Sequence, residues 1–227
     1  MNSYWGNRSS KNLGKRKREV VSNDSDSDDS SSSLSTITKI PLILGKTPSN
    51  NIYSHYNHIY FNNDINMDTA FELNKELRDV EIKIKTLCAS MNTPVKPIYL
   101  HLTTDGGLIH AAMSIIDCIK TLTIPVHTVI DGFVASAGTL ISLAGKKRYI
   151  MPNAYMLIHE LRSGVWGKMS EITEEYENIK KLMDHLISYY SKHTDMTVKQ
   201  LEKLLTKDSI WNAEECIRKK LVQETMH

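Results

Sequence analysis

Between residues 97 and 159, short apolar segments alternate with helical ones, and most junctions fall on glycine or a small polar residue. Residues 97–102, Pro-Ile-Tyr-Leu-His-Leu, read as a buried strand that is too short and too β-rich for a helix. Thr103-Thr104-Asp105-Gly106-Gly107 reads as a turn. Residues 108–122 then carry Ile109, Met113, Ile116 and Ile119 at helical spacing. A second strand, 125–130, is rich in β-branched residues, and Asp131-Gly132 is expected to turn the chain into a helix over 135–143, ended by Gly145. Two more strands, 148–151 and 155–158, flank Pro152-Asn153. Strand, helix, strand, helix, strand implies an α/β fold with a mostly parallel sheet, right-handed crossovers and helices covering the sheet. Ligands of such sheets sit at the carboxyl ends of strands. Gly106-Gly107, Ser136 and His159 fall at those ends.

The flanks fit the same plan. Upstream, Ile59-Tyr60-Phe61 reads as a strand. Residues 67–88 read as a helix with Phe71, Leu73, Leu77, Val80 and Ile84 on one side and Asp64 or Asp68 as N-cap. Downstream, 168–193 is a long helix whose Ile172, Tyr176, Ile179, Met183, Leu186 and Tyr190 form an apolar stripe. A short helix to Leu205, an extended segment 208–211 and a last helix capped by Asn212 follow.

Residues 1–39 differ in kind, with the basic run Lys15-Arg16-Lys17-Arg18 followed by an Asp/Ser run over 24–33. So little apolar surface cannot offset the entropy of ordering, so the expectation is a disordered tail ahead of a domain spanning 40–227. Residues 1–52 hold eight Lys/Arg and five Asp/Glu of the chain's 28 and 26, so the positive charge sits in the tail. The rest is near neutral, which argues against a nucleic-acid-binding face. No apolar leader is visible, and the most apolar stretch, 124–145, contains His127 and Asp131, so neither secretion nor a membrane span is expected. Cys88, Cys118 and Cys216 are scattered and show no metal-ligand spacing. A reducing, cytoplasmic setting without metal or cofactor is expected, and the basic run leaves the nucleus open.

Ser136 sits at a strand-to-helix junction among small residues, Ala135, Ala137 and Gly138. A serine there caps the helix or acts as a nucleophile with the Ala137 N–H as an oxyanion donor. Gly107 supplies a second candidate donor. His159, at a strand's end, is placed to move a proton. Asp208, taken alone, is an ordinary local cap or pair.

Taken in order, these residues resemble the Clp protease proteolytic subunit. The resemblance rests on 98–107 ending in Gly-Gly, on Gly132 to Gly138 around Ser136, on Met151-Pro152-Asn153 running into His159, on His193-Thr194, and on Lys207-Asp208. It implies the Clp/crotonase-like fold of stacked βαβ units, with the long helix as a protruding handle. It also implies a serine endopeptidase in which Ser136 attacks, His159 is the general base and Asp208 orients the histidine. Gly107 and Ala137 would hold the oxyanion, and a strand carrying Gly164 and Gly167 would pair with extended peptide. Heptameric rings enclosing a chamber, unfolded-protein or peptide substrates, and a separate AAA+ unfoldase are implied as well, since GxxxxGK[ST] is absent from this chain. Three positions depart from the family pattern: Asp105 for a proline, Glu160-Leu161 for Gln-Pro, and Thr206-Lys207 for a charged pair. A catalytically inactive ring subunit and a crotonase-type acyl-CoA enzyme remain as alternatives.

Overall fold

The computed structural model describes residues 51–227; the tail expected over 1–39 lies outside the described residues. A hairpin comes first, β1 (Ile52–His55) and β2 (His58–Asn62), antiparallel. Helix α1 (Met67–Met91) follows. Its cap is Asn66, not Asp64 or Asp68: the Asn66 Oδ1 accepts from the Thr69 N–H at 2.9 Å, and Thr69 answers from its own hydroxyl oxygen, which accepts from the Asn66 N–H. That reciprocal box satisfies two donors that the helix start leaves unpaired. Leu73, Leu77, Val80 and Ile84 are buried at three- and four-residue intervals, whereas Phe71, expected on the same side, is 73% exposed.

Next come β3 (Ile98–Thr104), α2 (Ile109–Thr121), β4 (Val126–Ala135), α3 (Ala137–Leu143), β5 (Lys147–Ile150) and β6 (Tyr155–Ile158). The chain ends with α4 (Met169–His193), α5 (Val198–Leu205), β7 (Ser209–Trp211), α6 (Ala213–Arg218) and β8 (Glu224–Thr225). The sheet runs β1-β2-β3-β4-β5-β8, parallel from β2 onward, with β6 on β4 and β7 antiparallel on β6.

Strand β4 organises this arrangement, and it corrects the sequence reading. Asp131-Gly132 does not end the strand. Gly132 takes φ +92°, the register against β3 slips between Leu102 and Thr104, and β4 continues to Ala135. A bulge of this kind bends a strand without ending it. The first half of β4 pairs with β5 through His127–Ile130, and the second half pairs with β6 through Phe133–Ala135. The sheet therefore divides at the bulge. The β4 end that leads to Ser136 is delivered to β6 and β7, the strands that precede His159 and follow Asp208.

Packing fixes this layout. The seven residues of α3 are all buried, and the α2 face of Ala111, Ala112, Ile115, Ile116 and Ile119 is buried with it. Helix α4 docks only by its last turns, through Leu186, Ile187, Tyr189 and Tyr190. The Tyr190 hydroxyl hydrogen-bonds Thr139 in α3, and Thr139 also donates to the Ser136 carbonyl oxygen at 2.6 Å. The other end of α4 carries Met169 and Tyr176 exposed. Among the described residues, no helix is long and apolar enough to cross a membrane.

The opposite face of the sheet carries a ladder of rings. Tyr53, Tyr60 and His101 stack in sequence at 4.8 and 4.4 Å, and His58 stacks on Tyr99 at 4.9 Å. Nδ1 of His58 lies 2.9 Å from Nε2 of His101, so one ring donates and the other accepts. Nδ1 of His101 faces the Asp131 carboxylate at 3.4 Å. Burial holds both histidines below the usual imidazole range. His55 lowers His58 further; at His101 the Asp131 carboxylate works against burial and His58 works with it. A second proton would set two N–H groups against each other. The folded pKa values lie below the unfolded one of 6.5, so the unfolded chain takes up protons first. This contribution to stability is constant above that pH and falls as pH drops below it. Thermal unfolding should show a lower Tm at pH 5.5 than at pH 7.5, and His101→Phe should reduce the difference; an equal pH dependence in that variant would exclude the pair as its source.

Candidate active site

Ser136 follows directly on β4 and precedes α3, so it stands at the N-cap position, yet its side chain makes no capping hydrogen bond. Asn66, Thr197 and Asn212, at the same position of other helices, all do. Its backbone is also unlike theirs, with φ +52° and ψ −125°, a region that non-glycine residues seldom enter. The surroundings hold it there. The Ser136 N–H donates to Leu157 O at 2.9 Å, and its carbonyl is engaged by Thr139. Strain maintained this way, with the hydroxyl left out of the helix cap, points to a use for the hydroxyl.

The Gly106-Gly107 loop is pressed against this serine. A Cβ on Gly106 would lie 2.6 Å from Ser136 Cβ and 3.2 Å from its Oγ, so only a residue without a side chain lets the loop come this near. Gly107 has φ +141°, and a Cβ there would meet Ile65 O at 2.1 Å. Ile65 bridges Gly107 by donating to Gly106 O at 2.8 Å and accepting from the Leu108 N–H at 2.7 Å. Among the described residues, no hydrogen bond uses the Gly107 N–H. The Ala137 N–H is likewise spare, since it belongs to the first turn of α3. Sequence reading singled out the Gly106-Gly107 pair but gave a role as candidate donor to Gly107 alone, not to the closer Gly106. The only sequence signal for Gly106 was the doubled glycine itself. Asp64, Asp105 and Phe133 help line a cleft of about 200 Å³ beside this loop.

Pairing registers bring the other two residues to the same sheet end. Ala135 pairs with Leu157 and Ile158 with Ser209. Ser136 directly follows β4, His159 directly follows β6, and Asp208 directly precedes β7. His159 and Asp208 thus flank the last rung of the antiparallel pair, Ile158 with Ser209. Next to them the Glu160 N–H donates to Leu205 O at 2.9 Å. The side chains are not joined into a relay. Nδ1 of His159 is buried without a hydrogen-bond partner among the described residues. The Asp208 carboxylate accepts from Arg162 Nη2 at 2.6 Å instead. Arg162 was absent from the sequence reading, and nothing in a 46-residue separation pointed to it. Gly164 stands in open space and Gly167 beside Glu171; the segment 159–168 that holds them has no regular structure.

No group of three or more His, Cys, Asp or Glu side chains suited to a metal ion occurs among the described residues. The sheet end therefore offers a hydroxyl, an imidazole, a carboxylate and spare N–H groups.

Comparison with known proteins shows the family to which the fold belongs. The profile of the family described as Clp protease matches residues 48–227. The chain belongs to the Clp protease family. It is also 32% identical over 157 residues to the ATP-dependent Clp protease proteolytic subunit 2 of Treponema denticola, covering 68% of this chain and 78% of that protein. The Clp protease fold accounts for the mixed sheet and the long α4, and the match covers every strand described above. It sets aside the crotonase-type alternative. As a member of the Clp protease family, this chain is a peptidase of the proteolytic-subunit type.

Proposed function

We propose that the chain is a serine endopeptidase in which Ser136 is the nucleophile, His159 the general base and Asp208 the group that orients and charges-balances the imidazole. The observation that carries this reading is the convergence of three strand ends, β4, β6 and β7, on those three residues. In the reaction, His159 takes the Ser136 proton as Oγ bonds to the peptide carbonyl carbon. His159 then returns the proton to the leaving amine, and water releases the acyl group by the same route. The Gly107 and Ala137 N–H groups would stabilise the oxyanion, each contributing about 3 kcal/mol of barrier lowering. Gly164 and Gly167 would flank extended substrate, since backbone without side chains lets a peptide strand come close.

The relative from Treponema denticola is named as ATP-dependent. This chain has no phosphate-binding GxxxxGK[ST] sequence, so we assign ATP use to a separate AAA+ partner. The exposed Met169 and Tyr176 on α4, together with Trp166 at 97% exposure, support assembly into rings through that helix. Substrates would be unfolded proteins or peptides able to enter the chamber.

His159→Ala should lower the hydrolysis of a short chromogenic peptide roughly 10⁴-fold or more, and Asp208→Asn by a comparable factor, with unchanged far-UV circular dichroism. Activity in His159→Ala within about tenfold of wild type would refute the assignment.

A further inference from the structure

The position of Asp208 shows more than a resting side chain. Asp208 and His159 flank the Ile158–Ser209 rung, yet the Asp208 carboxylate is held by Arg162 at 2.6 Å while Nδ1 of His159 is buried and has no partner among the described residues. An unpaired buried ring nitrogen is unfavourable, and the carboxylate on the other side of that rung is engaged elsewhere. We propose that Arg162 is a positioning residue that competes with His159 for Asp208 and so sets the fraction of molecules with a complete relay. The inference rests on the triad reading given above.

The strength of this competition follows from exposure. The Arg162 and Asp208 side chains are 71% and 58% exposed. Such a pair biases an equilibrium by roughly two- to fivefold and weakens as salt screens it. Arg162 is thus a brake on the relay, and a ligand can release it. It lies in the irregular segment 159–168, two residues before Gly164. A peptide that lies along this segment must reorder it, moving Arg162 and freeing Asp208 for His159. Substrate binding and completion of the relay would then be coupled through one side chain, by a shift between two populated arrangements.

The test uses the full-length chain with Arg162→Gln, Arg162→Lys and Ser136→Ala. The measured quantity is the second-order rate constant for fluorophosphonate labelling, at low salt and at about 0.5 M NaCl, where the screening length is only a few ångströms. Arg162→Gln should label roughly two- to fivefold faster than wild type at low salt. Salt should accelerate wild type and leave Arg162→Gln flat, and Arg162→Lys, which keeps the charge, should behave like wild type. A purely structural role for Arg162 would not produce a salt response that is lost in the glutamine and kept in the lysine. Equal or slower labelling of Arg162→Gln with an unchanged salt response overturns the proposal, while loss of labelling in Ser136→Ala shows that the triad reading still stands. Persistent labelling of Ser136→Ala overturns the triad reading first and this inference with it.

Discussion

Ser136→Ala is expected to abolish peptide hydrolysis, with kcat down by about 10⁶-fold, while the protein folds as before. Both halves of that expectation follow from the geometry. The Ser136 hydroxyl caps nothing, so removing it takes no hydrogen bond from α3. The bonds that anchor this residue use its backbone N–H and carbonyl, and alanine keeps both. The φ of +52° is strained for serine and alanine alike, so it adds no difference. Stability should therefore change by less than about 1 kcal/mol. Loss of activity accompanied by a large fall in Tm would mean that Ser136 serves the fold, which would leave its catalytic role unsupported.

Gly107→Ala is expected to do the opposite, disrupting site and fold together. A methyl group at this position meets Ile65 O at 2.1 Å, and φ +141° is unfavourable to any side chain. Relief requires the loop to part from Ile65, which breaks the two hydrogen bonds of the bridge and leaves Gly106 no longer packed on Ser136. Mechanisms of this kind cost about 4 kcal/mol or more, so a Tm lower by roughly 10 °C is expected. Activity should fall at least 10²-fold even at temperatures where the variant stays folded, because the proposed oxyanion donor is displaced. Gly164→Ala provides the contrast: no atom lies within 4 Å of its new methyl group, so stability should hold. Differential scanning of both variants checks the pair. A Gly107→Ala protein with wild-type Tm would show that the loop yields more easily than its contacts imply.

These expectations also show how far the sequence could be read. The βαβ order, the place of Ser136, Gly107 and His159 at strand ends, and the capping role of Asn212 were legible, because apolar periodicity and turn residues are local signals. Strand β4 was misjudged at Asp131-Gly132. A glycine in a strand signals a turn or a bulge alike, and only pairing with β3 and β6 decides between them. The last strand, β8, was missed because two residues against β5 leave no pattern. Phe71 was placed inward on periodicity, but the structure leaves it largely exposed. At the site, the places of Ser136 and His159 at strand ends were readable, but the contacts of His159 and Asp208 were not. Whether Asp208 bonds His159 or Arg162 depends on residues brought together by the β6–β7 register, and that register is set by tertiary pairing. The His58–His101 contact was hidden for the same reason, since it joins neighbouring strands 43 positions apart.

The most direct test is to treat the full-length protein with a fluorophosphonate and locate the adduct by peptide mass mapping. A single stoichiometric adduct on Ser136, absent from His159→Ala, is the predicted result; an adduct on another residue, or none in a preparation that still cleaves peptides, would contradict the account.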